Sequence, residues 1–234
     1  LNGEELAVGY SSGDYFYGEG MEYQTWYIKK FAGINEIGKP LWYLNQKDDD
    51  GNVMTTDVYS SADYFASGST QPKLIGGFGG VLSYKNIDLS FTFSYRLGGL
   101  AYDSGYATLM TGPYNGHTGY NFHKDVKYSW TPENPNNEFA RFQYDDRYFT
   151  SSSDRWLTKA DYLNFQNISL GYHVPKKLVK ELGIEGLTAS VAVDNVVYLS
   201  HRKGFVPSTT FGGSTAFGRV PAAGNYMLNL NIKF

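Results

Sequence analysis

Four histidines, no cysteine and a scatter of carboxylates are what this 234-residue chain offers for chemistry. His117, His123, His173 and His201 lack ligand spacing, and the His117/His123 pair has none of the further ligands a zinc site requires. Ser, His and Asp all occur without a Gly-x-Ser-x-Gly elbow. Asp145-Asp146 and Phe211-Gly212-Gly213 lack the strand-to-helix setting of a hydrolase or phosphate loop. Asp48, Asp50 and Asn52 have the oxygen spacing of a calcium loop, but the required Gly and closing Glu are missing, and Asp50-Gly51 reads as a tight turn. The chain is therefore read as a non-enzyme with no metal and no cofactor.

Binding groups are better represented. Tyr102, Tyr106, Tyr114, Tyr120, Trp130 and Trp156 fall in an irregular segment, residues 98–161, where they could stack on sugar rings or grip a partner protein. The plainer alternative is that they form an interfacial girdle or pack the loop on itself. A second set, Arg96, Asn164, Gln166 and Asp194, is placed on polar strand faces near one end. These would touch a solute, or hydrogen-bond to a plug and to water.

Strands must position both sets. From Tyr226 to Phe234 the even positions are Tyr, Leu, Leu, Ile and Phe, so one face is apolar. The clearest hairpin joins Leu74–Tyr84 to Ile87–Leu97 through Lys85-Asn86. In its second arm Ile87, Leu89, Phe91, Phe93, Tyr95 and Leu97 alternate with Asp88, Ser90, Thr92, Ser94 and Arg96. Eleven residues suffice for a tilted strand to cross a bilayer. From Tyr162 to His173 the phase slips, since Leu163 and Phe165 are odd but Ile168, Leu170 and Tyr172 are even. A bulge near Gln166 or Asn167 would restore both sets to one face. Pro175 to Leu182, stopped by Gly183, reads as a short helix before a strand at Leu187–Leu199. A strand is also expected at Tyr23–Ile34, with Pro40–Leu44 a short extended piece.

Alternation alone fits a soluble β-sandwich as well as a membrane barrel. With 21 Tyr, 27 Gly and 17% aromatic residues the composition suits either. A net charge of -3 with no basic stripe argues against a nucleic-acid partner. No run is long and apolar enough for a membrane helix. No charged, apolar leader precedes Leu1, and a fragment of a longer chain is the expectation.

Several words occur together in a familiar order. They are Tyr162-Leu163-Asn164-Phe165-Gln166-Asn167-Ile168-Ser169-Leu170-Gly171-Tyr172, Val174-Pro175-Lys176-Lys177-Leu178, Leu182-Gly183-Ile184 and Asp194-Asn195. Upstream stand Phe31-Ala32-Gly33-Ile34, Gly38-Lys39-Pro40-Leu41-Trp42-Tyr43 and Pro72-Lys73-Leu74-Ile75-Gly76-Gly77-Phe78. This arrangement resembles the C-terminal portion of SusC/RagA-type TonB-linked outer-membrane transporters over nearly the whole chain. Arg219-Val220-Pro221 departs from the family's Pro-Arg pair before the last strand.

The resemblance implies an all-β fold, a transmembrane antiparallel β-barrel of about 22 strands around a plug, to which this chain adds the last ones. Only about six or seven strands are counted here, so partner strands must come from elsewhere. Long connections, at about 35–72, 98–161 and 200–224, would be extracellular, and the chain would end at the periplasmic rim. Also implied are import of oligosaccharide or peptide, a SusD-like surface lipoprotein as lid, TonB acting through a segment outside this chain, and a multi-pass place in a Gram-negative outer membrane. Phe234 resembles the terminal aromatic read by the outer-membrane assembly machinery. The rival reading is a secreted β-sandwich that binds glycans.

Overall fold

The structure, a computed structural model, describes residues 8–112, 121–136, 138–144, 152–181, 183–207 and 222–234. The chain divides into two compact units, the first from residues 1–71, 99–159 and 210–219, the second from residues 72–98, 160–209 and 220–234.

The second unit is one antiparallel sheet. Its strands are β8 (Leu74–Tyr84), β9 (Ile87–Leu97), β12 (Tyr162–His173), β13 (Gly186–Ser200) and β14 (Asn225–Lys233), in the order β14-β13-β12-β9-β8. The expected hairpin is present, with Tyr84 opposite Ile87 and Lys85 in the turn at φ 53°. The register slips between Phe165 and Asn167: against β9 Gln166 is the extra residue, whereas against β13 it faces two, Asn195 and Val196. That single insertion brings Leu163, Phe165, Ile168, Leu170 and Tyr172 to one face, opposite the odd residues of β9.

Following the pairs across the sheet gives two faces of opposite character. Phe78, Phe93, Phe165 and Val197 lie in one row, and Leu82, Leu89, Leu170, Val191 and Leu228 in another, all on the apolar face. Its centre is a ring stack, with Phe78–Phe93 centroids 4.8 Å apart and Phe93–Phe165 4.2 Å. The other face carries Asp88, Ser90, Thr92, Ser94 and Arg96 with Asn164, Asn167, Ser169, Thr188, Ser190, Asp194, Asn229 and Asn231. Strand β8 is glycine-rich, which weakens a strand. Its Gly76 and Gly80 lie beneath the rings of Tyr95 and Phe91, whose bulk fills the missing side chains. One end of the sheet is closed by the Lys85-Asn86 turn and by α2 (Lys176–Lys180), which buries Val179 while Leu178 stays exposed. The long connections leave from the other end.

The first unit holds shorter strands. These are β1 (Gly9–Ser12), β2 (Tyr15–Gly18), β3 (Thr25–Lys29), β4 (Phe31–Ile34), β5 (Pro40–Lys47), β6 (Val53–Thr56), β7 (Tyr64–Ser69), β10 (Leu100–Tyr102) and β11 (Leu157–Lys159). They form sheets β1-β2-β3-β7, β4-β5-β6 and β10-β11. The expected single strand over Tyr23–Ile34 is therefore two, broken between Lys29 and Phe31 where pairing passes from β7 to β5. Residues 35–72, with only Pro40–Leu44 expected to be extended, contain three strands, β5, β6 and β7. Trp42 and Phe65 are buried in them, and Trp26 and Ile28 in β3. Lys29 is buried as well, its ammonium held by the Tyr59 carbonyl and set over the Tyr59 ring.

The Asp48 turn is satisfied by its own backbone. Asp48 Oδ1 accepts from the Asp50 and Asn52 N–H groups, and its Oδ2 from the Asn52 side chain. No group of acidic or histidine residues able to hold a metal ion is present among the described residues. No helix among them is long and apolar enough to cross a membrane.

Gly38 sits in a turn at φ 79°, and a Cβ there would overlap the Trp130 ring and come within 2.9 Å of Arg141 Cβ. Gly38→Ala is expected to destabilise the first unit by about 2 kcal/mol. Faster amide exchange across β4 and β5 checks this, and unchanged exchange counts against it.

Candidate functional site

Two regions carry the groups singled out from sequence. The first is the polar face of the five-stranded sheet. Arg96 stands opposite Ile75 and Tyr162, and Asn164 opposite Ser94 and Tyr198, both near the end from which the long connections leave. Asp194 lies at mid-strand, where the Asn167 amide donates to its Oδ1 at 2.6 Å. Gln166 corrects the expectation. As the bulged residue it opposes no single partner, and Asn167 takes the place beside Asp194. Nearer the short-turn end His173 bridges three strands, 2.5 Å from Asp88 Oδ2 and 3.0 Å from Thr188 Oγ1, a contact invisible until the register is known.

The second region is a cleft in the first unit. Helix α1 (Ser104–Leu109) is capped by Asp103, whose Oδ1 accepts the Tyr106 N–H at 2.9 Å. This cap orients Tyr106, whose hydroxyl donates to Asp125 and whose ring meets His123 and Trp156 edge-on. A 3-10 turn at Asp154–Trp156 presents Arg155 beside it, and the Phe31 N–H donates to Asp154 Oδ1 at 2.8 Å. Phe31, Tyr106, Asn136, Glu138, Phe139, Arg155 and Trp156 enclose a cavity of about 560 Å³.

Of the six aromatics expected to bind or pack, Tyr106 and Trp156 line this cleft. Trp156 is 2% exposed, so it forms the cleft's base and offers no free ring face. Tyr102 and Trp130 pack against the core of Ile34, Ala107, Met110, Ala140 and Trp156, which favours the plainer reading for both. Tyr114 and Tyr120 lie outside the described residues, as do His117, Asp145-Asp146, Phe211-Gly212-Gly213 and Arg219-Val220-Pro221. Sequence reasoning missed Phe31, Phe139 and Arg155. The guanidinium carbon of Arg155 lies 4.7, 5.4 and 5.0 Å from the ring centroids of Phe31, Phe139 and Trp156. Only the Arg155-Trp156 step hinted at it. Burial pushes the Arg155 guanidinium down to about 10, with Tyr106 and Glu138 pulling the other way, so it stays a cation at neutral pH.

No family model matches the chain. It is 23% identical to TonB-dependent receptor P3 of Formosa agariphila over 234 residues, covering 92% of this chain and 22% of that receptor. It is 26% identical to TonB-dependent receptor P26 of the same organism over 186 residues, covering 76% and 18%. Among solved structures it superposes on the RagAB peptide transporter with TM-score 0.72 at 25% identity, covering 90% of this chain and 23% of that one. The RagAB peptide importer in its closed-closed state gives 0.73 at 23%, with 94% and 26% covered. The relatives are described as receptors and transporters rather than as enzymes. The chain is a partial TonB-dependent receptor of the SusC/RagA type, spanning about a fifth of the length of the curated relatives it matches.

Burial raises the Asp154 carboxyl above its ordinary range, opposed by the Phe31 N–H and by Lys30. A folded-state value above the unfolded one favours folding while Asp154 is protonated. That contribution is lost as pH rises from about 4 through the raised value. Asp154→Asn keeps an oxygen for the Phe31 N–H, so it should flatten this part of the stability–pH profile and be at least as stable as wild type at pH 7. Thermal unfolding at pH 4 to 7 checks it, and a less stable variant with the slope intact refutes it.

Proposed function

We propose that this chain supplies part of the wall of a transmembrane antiparallel β-barrel through which an outer-membrane receptor imports oligosaccharides or peptides. One observation carries the reading. The five-stranded sheet leaves a wholly apolar face uncovered, with Leu82, Leu170 and Leu228 exposing 62%, 52% and 72%. Its strands of 11, 11, 12, 15 and 9 residues are long enough to cross a bilayer. A β-sandwich requires a second sheet against that face, and the described residues of the second unit contain none.

In this reading the apolar face meets lipid, and the polar face, with Arg96, Asn164 and Asp194, meets the lumen. The short-turn end is periplasmic and the long connections are extracellular. The likeness to that family supports an outer-membrane location, energy from TonB through a segment elsewhere in the receptor, a SusD-like lipoprotein lid, and further strands and a plug outside this chain. The solved relatives are described as a peptide transporter and importer, which supports the peptide half of the substrate class.

The paired substitutions Phe91→Arg and Thr92→Arg test this, because the two residues are adjacent on opposite faces of β9. On a lipid face mid-strand the charge costs about 2–4 kcal/mol and should abolish the heat-modifiable barrel band in outer membranes; on the lumen face it should be tolerated. Equal tolerance of both sinks the barrel.

A further inference from the structure

The cleft of the first unit differs from a plain aromatic platform in that a cation is set among its rings. The guanidinium carbon of Arg155 lies over the rings of Phe31, Phe139 and Trp156, a cation–π setting in which the rings hold the charge and its N–H groups are the points at which an anion can approach. Those groups form a fork, and the planar group that matches a fork with two oxygens is a carboxylate. A guanidinium has five such donors, so protein contacts and a ligand can share it. The surroundings add to the preference. A cation held among rings is poorly solvated and gains more from a counter-charge than one in water. Phe31 and Phe139, both half-buried, offer apolar surface to whatever carries the carboxylate.

The neighbouring polar groups do not supply an equivalent anionic or amide site. Asn136 spends its oxygen on the N–H groups of Glu138 and Phe139 and its amide on the Tyr128 carbonyl. Asp125 is engaged by the Tyr106 hydroxyl and by His123. Glu138 is exposed, lines the cleft and acts electrostatically on Arg155, so it weakens the attraction of a second anion. The volume, about 560 Å³, accommodates one or two residues of an oligomer.

We propose that this cleft binds a carboxylate of the transported oligomer, with Arg155 donating to its oxygens and Phe31 and Phe139 packing on the carbon skeleton that bears it. The proposal rests on the import reading and narrows its substrate class to acidic oligomers. The carboxylate can belong to a peptide or to a uronic acid, and the experiment separates the two.

The complete receptor, purified in detergent from outer membranes, is titrated calorimetrically with an acidic hexapeptide, the same peptide with every carboxyl as its amide, trigalacturonate and maltotriose. One acidic probe should bind about tenfold more tightly than its neutral counterpart, and which one does so names the source. Arg155→Gln should remove that difference. Arg155→Lys should keep part of it, since the charge survives and the fork does not. Glu138→Gln should widen it about twofold by removing a like charge, a change that a purely structural role for Arg155 does not produce and that can be read even where Arg155→Gln fails to assemble. Equal binding of acidic and neutral probes, no binding of any probe to assembled receptor, or a preference that survives Arg155→Gln with Glu138→Gln silent overturns the proposal. Uptake by cells is scored separately. A receptor that selects the acidic probe yet imports nothing refutes the import reading and leaves the cleft standing.

Discussion

An unpaired backbone edge is the constraint on which the second unit depends. Strand β8 pairs only with β9 and β14 only with β13, so two long rows of N–H and C=O groups have no partner among the described residues. In water such edges invite aggregation, and in lipid they are excluded by the cost of unsatisfied polar groups. In the proposed barrel the sheet continues on both sides. The length of its strands and the bareness of its apolar side fit that continuation.

Within that frame the bulge at Gln166 sets the chemistry of the polar face. Without it, every residue of β12 beyond Phe165 would turn over. Ile168, Leu170 and Tyr172 would then point to the wet side, and Asn167 and Ser169 to the dry one. Strand β13 answers with two residues, Asn195 at φ 53° and Val196, lying between the partners of Phe165 and Asn167. The irregularity therefore spans two strands, and it is what delivers Asn167 to Asp194.

The hairpin, the slip in phase and the turn after Pro175 were legible because each is written in a run of neighbouring residues. Alternation in Ile87–Leu97 needs no knowledge of what lies opposite. The side on which Gln166 falls did need it, since a bulge one residue earlier or later satisfies the same pattern. The first unit was barely legible. Trp42 and Phe65 occur in short, mixed stretches whose burial comes from contacts across dozens of residues. The cleft was half visible, since Tyr106 and Trp156 stood out as aromatics in a polar segment. Phe31 lies more than a hundred residues from Arg155, and no spacing rule joins them.

The pairing of β10 with β11 bears on how such a receptor changes over time. Leu100 lies opposite Lys159 and Tyr102 opposite Leu157, so the excursion between them is tied at its own root. A doubling of its length would add only about 0.6 kcal/mol of closure entropy. The segment between them can therefore gain or lose length while β10 and β11 keep their register, provided that Trp130, Arg141 and Asp154 keep their contacts with Gly38 and Phe31. A change of sequence there does not have to solve the sheet again.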